Sequence, residues 1–289
     1  MPVIEVILGG VILGGLYALV AIGFNLQYGM ARIVNLAYGE FLMSAAFAAF
    51  WMFTLANINP ILGMVMSVPV TFGANLLVYR VLMTPLVRRA RTREQLEGES
   101  ILATFGLLFV LRGAITLAFS ADNRYYDYLS DPLHVFGFTF AANRVLAFAL
   151  ACLFVGVIWI VLNRTRFGAA LRALAIDPVG AELVGIDVRV LSGLAFASGG
   201  ALVAAAGTLV STFLVFNPAI GIEFTMKALV VVIMGGIGSV VGSLSAGLLL
   251  GVAEALCSHY VDSGLTLAVA YALFLVVLVV RPRGLFGTS

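Results

Sequence analysis

The chain is 289 residues long, 62% hydrophobic and only 10% charged, with a mean hydropathy of +1.13. Soluble domains are about 45–50% apolar and about 25% charged, so these values exclude a water-soluble domain. The net charge of +2 does not indicate nucleic acid, because the basic residues are placed by membrane topology. Repeated apolar runs of spanning length read as helices and not as the short alternating strands of a barrel. The opening MPVIEVILGG carries Glu5 without a basic leader, and is read as the start of a span and not a cleaved signal.

In chain order, spans are expected at about 5–28, 37–56, 60–80, 101–120, 144–163, 190–214, 224–238, 243–260 and 264–280. The seventh is the weakest, so the count is eight or nine. Arg32, Arg80, Arg88, Arg89, Arg91, Arg93, Arg164, Arg166, Arg172, Arg189, Arg281 and Arg283 all fall on one side. That side is expected to be cytoplasmic, with the C-terminus inside and, for an odd count, the N-terminus outside. Arg124, Arg144 and a membrane-edge Lys227 fall opposite, and Arg112 lies within a span. No linker divides residues 1–289, which read as one transmembrane domain. Cys152 and Cys257 fall inside spans and read as small buried apolar residues.

Residues 84–99 read as a cytoplasmic loop that sets orientation. Residues 121–143, rich in Tyr and Asp, read as an external segment: either an interfacial aromatic belt with a short loop or a docking surface. The small-xxx-small pairs Gly10–Gly14, Gly238–Gly242 and Gly247–Gly251 predict close helix packing or a helix break.

Charges at bilayer depth are costly and are either paired or functional. Arg112 and Glu254 lie roughly 18 and 16 Å above the inner ends of their spans at 1.5 Å per residue. Their matched depth predicts an intramembrane ion pair. FNLQYGMARIVNLAYGEF concentrates Asn25, Gln27, Asn35 and Glu40 where a lipid-facing helix has no polar side chains. It forms either the packed elbow of a helix hairpin or the lining of a pathway.

Residues 164–189 stand apart. Phe167, Leu171 and Leu174 share a helical face. Asp177 then precedes Pro178 as an N-cap, and Gly185 is placed to stop a helix of about two turns. Two capped helices between spans predict a docking element, the alternative being a segment lying on lipid headgroups. The chain lacks a G-x-x-x-x-G-K-S/T phosphate loop, and its one lysine is Lys227. His134 and His259 stand alone, and no nucleophile–base pattern is visible. No enzyme, metal or bound cofactor is expected.

GGLYALVAIGFNLQYGMARIVNLAYGEF, RTRFGAALRALAIDPVGAELVGIDV, MGGIGSVVGSLSAG and RPRGLFG together resemble the permeases of branched-chain amino acid ABC transporters, in the same order along nearly the whole chain. The chain resembles the smaller of their two permease types. The resemblance implies an all-α polytopic protein of a bacterial inner membrane. Its partners would be a second permease, identical or homologous, two cytoplasmic ATPases that bind ATP and Mg, and a periplasmic solute-binding protein. It also implies that Asp177, Pro178, Ala181, Glu182, Gly185 and Ile186 form a coupling helix seated on the ATPase. Asn35, Gly39, Glu40 and Phe41 match the family's N-x-A-x-G-E-F signature and, with Asn25 and Gln27, are the candidate translocation path. Tyr38 stands where many members have histidine. The solute implied is a branched-chain amino acid or another small neutral or zwitterionic molecule. Relatives of the same fold carry urea, short amides or aromatic acids. The competing class is an ion-coupled secondary transporter or channel, which also places charges at mid-membrane. A third reading is a scaffold subunit that binds partners and transports nothing by itself.

Overall fold

The computed structural model describes residues 3–90, 92–135 and 138–287. Arg91 and residues 136–137 of the external segment lie outside the described residues. Among those described, nine helices are long and apolar enough to cross a membrane. They match the nine expected spans, so the protein is an all-α polytopic membrane protein.

Helix α1 (Val3–Asn25) continues through a π-helical turn, Leu26–Met30, into an irregular elbow before α2 (Tyr38–Ala56). Helix α3 (Pro60–Val78) starts on an Asn59 cap, whose side chain accepts the Ile61 N–H at 2.9 Å, with Pro60 at the first helical position. It passes through a second π-helical turn, Tyr79–Met83, into α4 (Thr84–Arg89). Helix α5 (Arg93–Phe119) is capped by Thr92, which accepts the Gln95 N–H at 3.2 Å. The expected loop at 84–99 is therefore mostly helix, because the flanking spans run past the apolar stretch on their basic ends. Strands β1 (Pro132–Val135) and β2 (Phe138–Ala141) form an antiparallel pair just before α6 (Ala142–Arg164). Two short helices, α7 (Arg166–Ile176) and α8 (Pro178–Leu183), lead to α9 (Val188–Ser211). The chain ends with α10 (Gly221–Gly235), α11 (Val240–Tyr260) and α12 (Thr266–Val280).

The bundle is held by glycine. Gly10 and Gly14 of α1 lie against Gly251, Val252, Gly247 and Leu248 of α11, where an added Cβ would sit 2.7–3.1 Å from backbone atoms. The helix axes approach closely because those side chains are missing. Gly238 behaves differently: with φ +86 it turns the α10–α11 connection, while Gly242 packs against Gly235. Helix α9 is buried along most of its length between α1, α2 and α3.

Loop contacts settle whether α10 crosses fully. At one end, Arg124 and Phe216 exchange backbone hydrogen bonds of 2.8 and 3.0 Å, and Asn217 donates to Asn123, so the loop before α10 joins the segment between α5 and α6. At the other end, Gly238 N–H donates to the Asn25 side chain at 2.7 Å, and Leu285 N–H donates to Met234 at 2.7 Å. Helix α10 therefore traverses the bundle and is not re-entrant. Cys152 departs from expectation. It is exposed on α6, a helix at the periphery, whereas Cys257 is buried.

Candidate coupling and intramembrane sites

Asp177 Oδ1 accepts the Val179 N–H at 3.0 Å and starts α8, with Pro178 at its first position. The helix stops in a Schellman motif: Ile186 N–H donates to Ala181 O at 3.1 Å, and Gly185 N–H to Glu182 O at 3.0 Å. Gly185 has φ +83, a conformation that favours glycine. Ala181 is buried beneath the helix, whereas Val179, Leu183 and Val184 are 68%, 84% and 75% exposed. That is an apolar face which none of the described residues covers.

Helix α7 turns Gly168, Leu171 and Leu174 inward, with Phe167 half-buried. Arg32, at φ +58 in the α1–α2 elbow, donates to the Ala175 carbonyl at 2.9 Å at the C-terminal end of α7. Arg172 donates to the Leu162 carbonyl on the end of α6. The α7–α8 segment is thus fastened to the elbow as well as to its own neighbours, a link that spacing along the chain does not reveal.

The elbow's polar side chains bond mainly to one another and to backbone. Gln27 Nε2 donates to Phe196 O at 2.9 Å and to Asn75 Oδ1 at 3.3 Å, and its Oε1 accepts from Asn35 at 3.0 Å. Asn25 donates to Ser243 Oγ at 3.0 Å. Gly39 N–H donates to Thr225 Oγ1 at 2.8 Å, and Gly39 backs directly onto Gly221. Tyr38 donates to Val20 O at 2.9 Å, so the residue in the histidine position pins α2 to α1. Asn25, Gln27 and Asn35 are no more than 3% exposed, which places them in a packed elbow. Phe41 is buried in the core beside them. Glu40 differs: it is fully buried, and among the described residues neither carboxylate oxygen has a hydrogen-bond partner.

The expected pairing of Arg112 with Glu254 is corrected. Glu254 Oε2 lies 3.0 Å from Lys227 Nζ and accepts the Tyr17 hydroxyl at 2.6 Å. Lys227 also donates to the Tyr17 oxygen at 2.9 Å, with its Nζ 4.8 Å from the ring centroid. Helix α5 carries Arg112 beside α2 and α4, while α11 packs on α1, α10 and α12, so equal depth did not make the two neighbours. Lys227 lies six residues after Gly221 and Glu254 six before Tyr260, about 9 Å along each helix from the same end of the bundle. That symmetry about the α10–α11 turn was a usable sequence signal.

The fold and these sites define a multi-pass membrane protein with a short capped helix, α8, at its basic end. Residues 6–280 match the family model described as branched-chain amino acid transport system, permease component, and the chain belongs to that family. It is 30% identical to the high-affinity branched-chain amino acid transport system permease protein BraD of Pseudomonas aeruginosa, over 98% of this chain and 95% of that protein. The permease protein LivH of the corresponding Escherichia coli system is also 30% identical, over 96% of this chain and 93% of its own length. The solved structure of PsaBC from Streptococcus pneumoniae in complex with Fab shares the fold, with a TM-score of 0.50 and 11% identity, covering 96% of this chain and 91% of that one. The chain is thus an ABC importer permease.

Proposed function

We propose that this chain forms, with a second permease, the translocation path of an ATP-driven importer for branched-chain amino acids or a related small neutral or zwitterionic solute. The importer sits in a bacterial inner membrane, with the C-terminus cytoplasmic. Two ATPases supply hydrolysis and a periplasmic binding protein supplies solute. The observation that carries this reading is α8: a helix capped at both ends whose exposed face, Val179, Leu183 and Val184, is apolar. Exposed apolar patches mark protein–protein or membrane interaction sites, and we assign the α8 face to the former.

The linkage from α8 inward suits a rigid lever. Movement of α8 passes to α7, through Arg32 to the elbow, and through Gln27, Asn35 and Asn25 to α3, α9 and α11. Closure of the ATPases would shift these helices together between outward- and inward-open states, an interface motion of the kind used in switching.

The test is a detergent pull-down with the candidate ATPase, comparing wild type with Glu182→Arg and Gly185→Pro. Capture by wild type and loss in both variants supports the reading. ATP-independent solute flux in proteoliposomes, without ATPase capture, would assign the chain to the ion-coupled class.

A further inference from the structure

A cavity of about 230 Å³ opens at the basic end of the bundle, between the π-helical turn that joins α3 to α4 and the first turns of α9. Drug-sized molecules fill about 300–1,000 Å³, so this volume suits a smaller group. Leu76, Gly193 and Leu194 form its apolar side, and Arg80, Arg88 and Arg189 its charged side.

Two local features gather these arginines. In a straight α-helix eight residues advance about 2.2 turns, which would leave Arg80 and Arg88 about 80° apart. The turn Tyr79–Met83 is wider, and the Tyr79 carbonyl accepts both the N–H and the hydroxyl of Thr84, the latter at 3.0 Å. Arg80, Thr84 and Arg88 consequently line the same cavity. Gly193 brings α9 to the same place, since a Cβ there would lie 2.9 Å from the Tyr79 ring. Arg189 stands one helical turn before Gly193 and Arg80 directly follows Tyr79, so the guanidiniums flank a single helix contact.

All three arginines are exposed, and none pairs through its side chain with a described residue. The neighbouring carboxylate, Asp187, accepts the Arg189 and Val190 N–H groups as the cap of α9. A guanidinium is always charged, and its planar fork matches a phosphate. Apolar surface borders the charge: Val190 lines the cavity, and Leu77 and Val81 adjoin its lining residues in the chain. Leu77, Val81 and Val190 are 62%, 66% and 58% exposed.

We infer that this cavity holds the phosphate headgroup of an anionic phospholipid, in the leaflet that the basic end meets. Arg80, Arg88 and Arg189 bind the phosphate, and the acyl chains run along Leu77, Val81 and Val190. Basic pockets between spanning helices take anionic headgroups in this way. The apolar border is what selects a lipid over free phosphate. Bound lipid ties the start of α9, four residues past Gly185, to the α3–α4 turn.

The full-length chain, purified in detergent with its copurifying subunits, is titrated with dioleoylphosphatidylglycerol or dioleoylphosphatidylcholine, and bound lipid is counted by native mass spectrometry. Wild type should hold phosphatidylglycerol about tenfold more tightly, as one charged hydrogen bond provides. Arg80→Gln/Arg88→Gln/Arg189→Gln should abolish that preference. Arg281→Gln/Arg283→Gln, exposed and outside the cavity, should keep it. Val190→Trp retains every charge but fills the cavity, so it should weaken phosphatidylglycerol about tenfold, and it decides the matter if the triple variant aggregates. A preference that survives Val190→Trp, or that is lost equally in Arg281→Gln/Arg283→Gln, overturns the site. Displacement of the lipid by equimolar inorganic phosphate reassigns the cavity to the free anion. Loss of a copurifying protein from the triple variant, with lipid binding unchanged, makes these arginines a protein contact instead.

Discussion

Lys227 and Glu254 face each other across the α10–α11 hairpin at 3.0 Å, and Tyr17 of α1 donates to the same carboxylate oxygen at 2.6 Å. Three helices therefore meet on one oxygen atom. Removing one member of a buried pair leaves an uncompensated charge and costs about 3–5 kcal/mol, whereas replacing both by apolar residues is often neutral. Lys227→Met alone should lower the melting temperature in detergent clearly, and Lys227→Met/Glu254→Leu should recover most of the loss. Additive losses in the double variant would show that the two residues do not interact.

Arg32 joins the α7–α8 segment to the elbow through the Ala175 carbonyl. Arg32→Ala should leave ATPase capture in pull-downs near wild type while reducing solute uptake about tenfold, as expected for a lost charged hydrogen bond. Unchanged uptake would remove Arg32 from the coupling route.

Gly185 has φ +83, and nothing lies within 4 Å of where its Cβ would be. Gly185→Ala should therefore act through backbone strain alone, about 1–2 kcal/mol. ATPase affinity should fall about tenfold for Ala and less for Asn, which tolerates this conformation better. Equal loss for both would point to a steric clash with the partner instead.

Gly39 abuts the backbone of Gly221, not a movable side chain. Gly39→Ala must separate α2 from α10, and overpacking of this kind costs about 1–3 kcal/mol or more. The expected result is a poorly expressed or aggregated protein by size-exclusion chromatography, and a monodisperse, fully active variant would contradict this packing.

Tyr126, in the external segment outside the spans, is buried against Phe50 and Phe53 and hydrogen-bonded to Ser211 at 2.9 Å. Burial pushes its hydroxyl up from 10.0 to about 12. The folded state holds this proton more tightly than the unfolded state. The stability it contributes is thus complete below pH 10 and lost as pH rises toward 12. Thermal melts across that window should show the decline in wild type, and a smaller one in Tyr126→Phe.

The span positions, the basic end and the capped α8 were legible because each is local. Hydropathy over about 20 residues, arginine placement, and the Asp-Pro and Gly signals around α8 act within a few turns of chain. The glycine pairs of α1 and α11 were legible as close-packing surfaces, but which helix each would meet was not.

Partner choice inside the membrane belongs to the tertiary structure. Arg112 and Glu254 lie at similar depth, and depth is a one-dimensional property that sequence supplies. Whether two side chains touch also depends on which helices are neighbours and which faces they turn toward each other. Packing set α11 beside α10 and α1, giving Glu254 to Lys227 and Tyr17. The same packing closed Asn25, Gln27 and Asn35 into an elbow, and left one buried oxygen of Glu254 without a donor among the described residues. Sequence by itself determined where eight or nine helices lie and where the capped helix α8 falls between them, since hydrophobic burial and capping act along the chain. Only the tertiary structure decided which polar groups satisfy one another, because those bonds join residues up to 237 positions apart.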